Sequence, residues 1–459
     1  MTPRLSPADI VEHALASARR SLVVIVEQEQ RLDLRFAAST MTTNGTSSAI
    51  STTVIAFEEG PVGVGVGTRS ATVRSTSDVD VLVRTAEREA SRATPAADIS
   101  TLTSGTVDDG FNDGAPELPS EILSEVARGL GAAFRRSPDE LEWFGYAEAT
   151  ATSTWLGTTT GVRRVHHERA GRLEATGKGQ QRSTSAWVGV PTSDFLDVDV
   201  AAVEAELLKR LRWARSTLEV APGRHRLILP PGAVADLVVP LVWGASAREA
   251  REGRSAFARQ RGGVLVGERI GPRGLRVTSD PDDSRVPVRP FVAAAYSGPT
   301  SSVFDNGADL HRSDWIDDGV VRHLIGPRSE QVHSPWARNA ADNVIVDAQG
   351  AGTLDDVIAR TDDALLVTCL WYIREVDPQT MLSTGLTRDG LYQVRDGQII
   401  GEVGNFRFNE SPRDMLSRIV DAGEAVVAQP REWADYVDSV VAPPLVIDRV
   451  NLSTRSEAL

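Results

Sequence analysis

Residues 364–412 read ALLVTCLWYIREVDPQTMLSTGLTRDGLYQVRDGQIIGEVGNFRFNESP, and their pattern decides the fold class. Ala364 to Ile373 is an apolar, β-rich run of the kind that makes a buried strand. Asp377-Pro378 marks a turn. A glycine-bearing polar loop leads to a short strand around Leu391, Tyr392 and Val394, and Asp396-Gly397 is a two-residue hairpin signal joining it to Gln398–Ile400. Ser411 then caps a helix, with Pro412 at its first position and Asp414 in its first turn, where a negative charge meets the positive end of the helix dipole. Strand, loop, hairpin and capped helix in this order make a β-rich core unit.

Outward from this stretch the bulk properties narrow the classes. The 459 residues suffice for two or three domains, with 41% hydrophobic and 24% charged residues, as in an ordinary globular protein. A net charge of −14 argues against a nucleic-acid partner, because phosphate contact needs a basic surface. A single cysteine rules out an intrachain disulfide framework and fits a reducing compartment. No apolar run reaches the ~18 residues of a membrane span, and Met1 to Ala14 shows no signal pattern, so the expected location is cytoplasmic, with no membrane partner.

The first half mixes helices and strands. Ser6 and Pro7 open a helix, Ser21 to Glu27 is a strand, and Leu32, Leu34 and Phe36 alternate as in a second, half-buried strand. Ser39 to Thr52 reads as a polar stretch with a tight turn at Asn44-Gly45. Gly63, Gly65 and Gly67 stay within a strand, so they fit close sheet packing and not a phosphate loop, which would open a helix. Ser77-Asp78 caps a second helix, residues 94–119 form a long loop or flexible insert, and Ser120 to Arg136 is a third helix. Leu141 to Trp155 is a strand, and Val198 to Val220 a fourth helix. Ala221-Pro222-Gly223 is the expected boundary, giving domains of 1–220 and 224–459. Beyond it come a strand to Leu229, one long helix from Ala233 to about Arg251, and strands at Gly263–Val266, Arg276–Val277, Val286–Val292 and Leu445–Val450. The class is α+β: an N-terminal α/β domain with an antiparallel sheet and helices, and a C-terminal β-rich domain with one long helix.

Metal and nucleophile signals are weak. His166-His167-Glu168 has no further histidine one helical turn away, and adjacent histidines on a strand face opposite sides. Cys369 lies in an apolar run and reads as a core residue. No G-x-S-x-G motif is present.

Several segments together resemble the TldD/PmbA (TldE) family. They are Leu34–Ala37, Arg69–Thr72, Arg226–Leu237, Gly253–Phe257, Phe304–Gly307, the run from Val376 to Gly390, and Pro443–Ser453. The resemblance implies a zinc peptidase pattern in TldD members: a helix with H-E-x-x-x-H, plus a cysteine near the C-terminus. The TldE/PmbA members lack it and pair with TldD in a protease for small or unfolded peptides. Here Pro240, Leu241 and Ala245 occupy the three motif positions, with Gly244 matching the glycine between, and Pro430 to Ala434 supplies no cysteine. None of these replacements can ligate zinc or act as a base.

The resemblance therefore implies a non-catalytic, TldE-like subunit. It would bind no metal or cofactor itself, and zinc would sit in a TldD-like partner of a heterodimer. Arg388 and Asp389 are candidate peptide-binding residues, or else a loop ion pair, and Trp336, Trp371 and Tyr372 are candidate interface aromatics. Two other readings stand beside it: a homodimeric peptide-binding protein without hydrolysis, and a hydrolase of another mechanism, for example through Cys369.

Overall fold

The computed structural model describes residues 5–136 and 139–456. Six strands, β1 (Ser21–Ala37), β2 (Thr40–Gly60), β3 (Gly63–Ala71), β4 (Glu142–Thr158), β5 (Arg163–Gly179) and β6 (Thr184–Thr192), form one antiparallel sheet. Their order is β3-β2-β1-β4-β5-β6. Side chains alternate along β1 and divide its chemistry between two faces. Leu22, Val24, Val26, Leu32, Leu34 and Phe36 belong to the cores that pack under α1 (Pro7–Ala16), α2 (Thr76–Ala90), α3 (Ser124–Arg136) and α4 (Val200–Trp213). On the other face Val23 and Ile25 meet Phe291 and Phe304 from the second half of the chain, while Glu29, Arg31 and Arg35 line an open trough.

Several sequence expectations change here. The strands expected around residues 21–27 and 32–36 are one, and Asn44-Gly45 is not a turn. Both residues lie inside β2, opposite Leu34 and Asp33, because continuous pairing with β1 outweighs a two-residue turn preference. The chain instead reverses at Ala38 and Ser39, with φ of 49° and 56°. Helix α2 is capped by Ser75, not Ser77. Glycines 65 and 67 do permit close packing: a Cβ on either would lie 2.2 Å from a backbone oxygen of α2. Residues 94–119, expected as a loop or flexible insert, are irregular but pinned. Phe111 is buried, its carbonyl accepts from Trp155 Nε1 at 3.0 Å, and Asp98 accepts from Ser302 Oγ at 2.6 Å. Helix α3 starts at Ser124, not Ser120, and α4 ends at Trp213, short of Val220.

The rest of the chain builds two further large sheets. One runs in the order Val320–Val321, Ser313–Asp317, Arg276–Ser279, Ile345–Asp347, Val440–Ala442, Val426–Ala428. The other runs Leu370–Asp377, Leu382–Thr387, Asn405–Glu410, Leu445–Ser456, β7 (Gly223–Leu229), Asp363–Val367, Leu391–Arg395, Gln398–Glu402, with Ile419–Ala422 also on Leu445–Ser456. The expected strand Ala364–Ile373 is two strands, broken where Thr368 Oγ1 turns to the carbonyl of Gly390 at 2.7 Å. Gly263–Val266 and Val286–Val292 form no named strands. Gly262 and Gly263 adopt positive φ, and Pro287 and Pro290 lack ladder donors. The hairpin at Asp396-Gly397 and the Ser411 cap stand as expected.

The single long helix is also two: α5 (Pro231–Trp243) and α6 (Ala247–Arg251). Gly244 ends the first, and the Ser246 hydroxyl caps the second by accepting from Glu249 N. Helix α5 is buried on nearly every side, contributing Ala233 to Val239, Leu241 and Val242 to the interior.

Glu402 sits at the edge of the larger sheet beside Ser216 and Leu218, and burial pushes its carboxyl up to about 7. The folded chain therefore holds a proton that the unfolded chain releases near pH 4.5. Stability from this group is full below that value and is lost as pH rises through 7, on the order of 1–3 kcal/mol. Urea melts of Glu402→Gln at pH 5 and pH 8 will show a smaller loss between the two than the parent chain.

Candidate functional site

The site grows from one face of α5. Asp236, Pro240 and Trp243 share that face, at the i, i+4, i+7 spacing of a helix. Asp236 is 1% exposed, the one charged residue in an otherwise apolar helix. Burial drives its carboxyl well above the usual range, although Glu432 N donates to Oδ1 at 2.9 Å. Trp433 Nε1 donates to the Asp236 carbonyl at 2.9 Å, and its ring meets Trp243 edge-on with centroids 5.3 Å apart. Tyr436 closes on Trp243 from beyond, at 5.9 Å. The segment from Gln429 to Val437 thus lies along α5 and roofs the face that holds Pro240.

A second contact fixes this segment. The Arg431 guanidinium lies between Trp187 and Trp371, 5.0 and 4.9 Å from their ring centroids. It pairs with Asp389, which is 3% exposed and also accepts from the Ser185 hydroxyl. Burial raises the Asp389 carboxyl, but Arg431 and then Ser185 overcome this and hold it below the ordinary range. Ser185 and Trp187 belong to β6 and the other partners to the second half of the chain, so this pair bolts the two halves together.

Next to the roof, Arg172 of β5 is 5% exposed and reaches the Ala434 carbonyl and, at 2.9 Å, Asp435. Its neighbour Glu174 accepts from Tyr146 at 2.7 Å and Gln429 at 2.5 Å. Two connected clefts flank these contacts. One, of about 590 Å³, is the charged trough on β1, β4 and β5, with Arg31, Tyr146, Glu148 and Arg172 in its wall. The other, of about 820 Å³, opens at the C-terminal end of α5, with Val242, Trp243, Tyr436 and Val437 in its wall. Glu168, Ala170 and Asp438 line both. The arrangement leaves a charged trough and, beside it, a larger cleft with Trp243 and Tyr436 in its wall.

The sequence candidates fall as follows. Pro240 and Leu241 are on α5, and Ala245 lies past its end, where its carbonyl accepts from Ile325 N at 2.7 Å. None carries a donor, so the zinc ion of the H-E-x-x-x-H pattern does not fit these positions. Among the described residues no group of three or more His, Cys, Asp or Glu side chains is placed to hold a metal. His166 and His167 lie on β5: His167 bonds Ser153 at 2.8 Å, and His166 is 3.6 Å from Glu168. Cys369 is 1% exposed, and burial pushes its thiol up to about 12, so it holds its proton and offers no thiolate nucleophile. Asp389 lines neither cleft, being spent on Arg431; Arg388 is half-buried, its N–H donating to Cys369 O at 3.1 Å. Tyr372 is exposed, Trp371 stacks on Arg431, and Trp336 packs against the core. Sequence reasoning missed Asp236, Trp243, Arg431, Tyr436 and Asp438. Only Asp236 carried a signal, as a lone charge in an apolar helix.

Residues 222–454 match the family profile described as the PmbA/TldA metallopeptidase C-terminal domain. Among curated proteins none matches the chain. Solved structures share the fold over nearly full length. TldE from Thermococcus kodakarensis superposes with a TM-score of 0.75 at 14% identity, covering 97% of this chain and 99% of that one. A Thermotoga maritima protein described as a modulator of a DNA gyrase gives 0.76 at 12%, covering 96% and 99%. A Bacteroides thetaiotaomicron protein of the same description gives 0.72 at 13%, covering 97% of each.

Replacing Arg431 with Met will leave Asp389 buried without its cation, at a cost of about 3–5 kcal/mol. In urea denaturation the double variant Arg431→Met, Asp389→Leu will recover most of that loss, because no uncompensated charge remains.

Proposed function

The chain belongs to the PmbA/TldD family, and on that premise we propose that it is the non-catalytic, TldE-like subunit of a two-component zinc peptidase. Its role is to bind peptide and complete a chamber whose metal is held by a TldD-like partner. One observation carries this reading. The three motif positions carry no metal donor and the face holding Pro240 is roofed by Trp433, while open clefts lie beside the roof. The zinc motif is absent from this helix, and space beside it suits a peptide.

A partner surface is also at hand. Among the described residues, 40–51 of β2 have a strand neighbour only on the β1 side, since β3 pairs from Thr52 onward. The run TMTTNGTSSAIS contains no charge and no proline, the two usual guards of an open edge. An uncharged edge of this length suits strand addition by a partner subunit.

The test is peptide hydrolysis and zinc content for the purified chain, alone and mixed with a TldD-type protein from the same cell. The expected outcome is an inert, zinc-free chain that forms a cleaving complex with zinc stoichiometric to the partner. Hydrolysis by the lone chain would overturn the proposal and make His166, His167 and Glu168 the first residues to replace. A stable homodimer that binds peptide and ignores the partner would favour a sequestering protein.

A further inference from the structure

The deeper cleft is chemically divided. Its floor at the end of α5 is apolar: Val242, Ile325, Val427 and Val437 beside the rings of Trp243 and Tyr436. Those rings are 45% and 77% exposed, and among the described residues their ring contacts are edge-on, Trp243 with Tyr436 and with Trp433. Large apolar side chains left open in a concave wall are the informative exception to burial, and Trp and Tyr are the residues that anchor ligands most strongly.

The rim carries the opposite character. Four carboxylates, Glu168, Asp197, Asp342 and Asp438, face two guanidiniums, Arg169 and Arg285. Arg285 is already neutralised by Asp283 at 2.6 Å, and Arg169 donates to the Glu117 carbonyl at 2.9 Å. Asp197 and Asp342 have neighbours of their own, in Thr192 at 2.5 Å and Arg289 at 3.4 Å. Asp438 has no hydrogen-bond or ion-pair partner among the described residues, and Glu168 has only His166. Solvent reaches the Asp438 carboxyl, yet the cleft walls enclose it and raise it, with Glu168 and Glu148 adding to the rise against the pull of Arg172. Carboxylates crowded in this way are short of a positive charge. An aromatic wall next to them favours the same sign, since the ring face attracts cations.

We propose that this cleft selects peptides carrying a large apolar side chain next to a positive charge. The apolar side chain lies against Trp243 and Tyr436, and the cation, a Lys or Arg side chain or a free N-terminal ammonium, is held by Asp438 and Glu168. The inference rests on the peptide-binding reading above and names the ligand class for that site. A volume of about 820 Å³ accommodates several residues, so both features fit in one cleft.

Fluorescence anisotropy on the purified full chain tests it with three labelled hexapeptides: one with adjacent Phe and Lys, one with that Phe replaced by Gly, one with that Lys replaced by Glu. The first will bind at least tenfold more tightly than either other. Trp243→Ala will erase the Phe preference and keep the Lys preference; Asp438→Asn will do the reverse. Tyr436→Ser, a change at an exposed position, serves if the Trp243 variant does not fold, and will weaken the Phe preference. Equal binding of the three peptides, unchanged ratios in the folded variants, or no binding at all would overturn the inference. If the chain binds none of them yet activates its partner, this inference alone fails. If binding follows the expected ratios but no partner is activated, the subunit reading alone fails.

Discussion

A carboxyl group buried in an apolar helix sets the terms for the rest of the structure. Helix α5 has no polar face to give water, so Asp236 must be answered from within. The answer is the backbone of the segment at 429–437, which brings Glu432 N to the carboxyl and the Trp433 indole to the carbonyl. Because that segment is committed to α5, it cannot lie elsewhere, and its neighbours inherit the constraint. Arg431 is carried to Asp389, Ala434 to Arg172, and Tyr436 to Trp243. Both clefts are the space left over once this strap is in place.

The strap also explains why the two halves of the chain meet as they do. The antiparallel sheet turns its helices to one side and presents mixed charge to the other, since β1 alternates Leu32, Leu34 and Phe36 with Arg31, Asp33 and Arg35. A charged sheet face cannot bury itself against an apolar core without a cost that pairing must offset. Here the cost is limited to a few points. Arg172 and Glu174 are answered by the strap, and the remaining charges line an open trough, where Arg31 pairs with Glu148. Apolar contact between the halves lies at the far end of the sheet, where Val23, Ile25 and Phe57 meet Phe291 and Phe304, and at the end of α4, where Trp213 meets Tyr392.

Local chemistry was legible in the sequence and long-range chemistry was not. The Ser6 and Ser411 caps and the Asp396-Gly397 hairpin follow from side-chain hydrogen bonds and backbone preferences within a few residues, and all three stand. Asn44-Gly45 has the same kind of signal and fails, because a long neighbour strand offers more than one turn can. The true reversal at Ala38-Ser39 carries no glycine or asparagine to announce it. That Pro240, Leu241 and Ala245 carry no metal donor could be read directly, but what packs over that helix could not. Trp433 lies nearly two hundred residues from α5 in sequence, and Asp389 and Arg431 meet with no motif to link them.

What covers this face of α5 bears on what the neighbouring clefts can do. Pro240, Leu241 and Ala245 are all apolar, yet the end of α5 is not closed over. Instead the roof is aromatic and its edge is open: Trp433 is held at its nitrogen, while Trp243 and Tyr436 keep much of their surface in the cleft. Packing alone gives no reason to leave two large rings wet, since each would gain from burial. Beside them the Asp438 carboxyl has no hydrogen-bond or ion-pair partner among the described residues, and Glu168 has only His166. Both features cost stability in the free chain, and the peptide proposed above, with an apolar side chain next to a positive charge, would offset both.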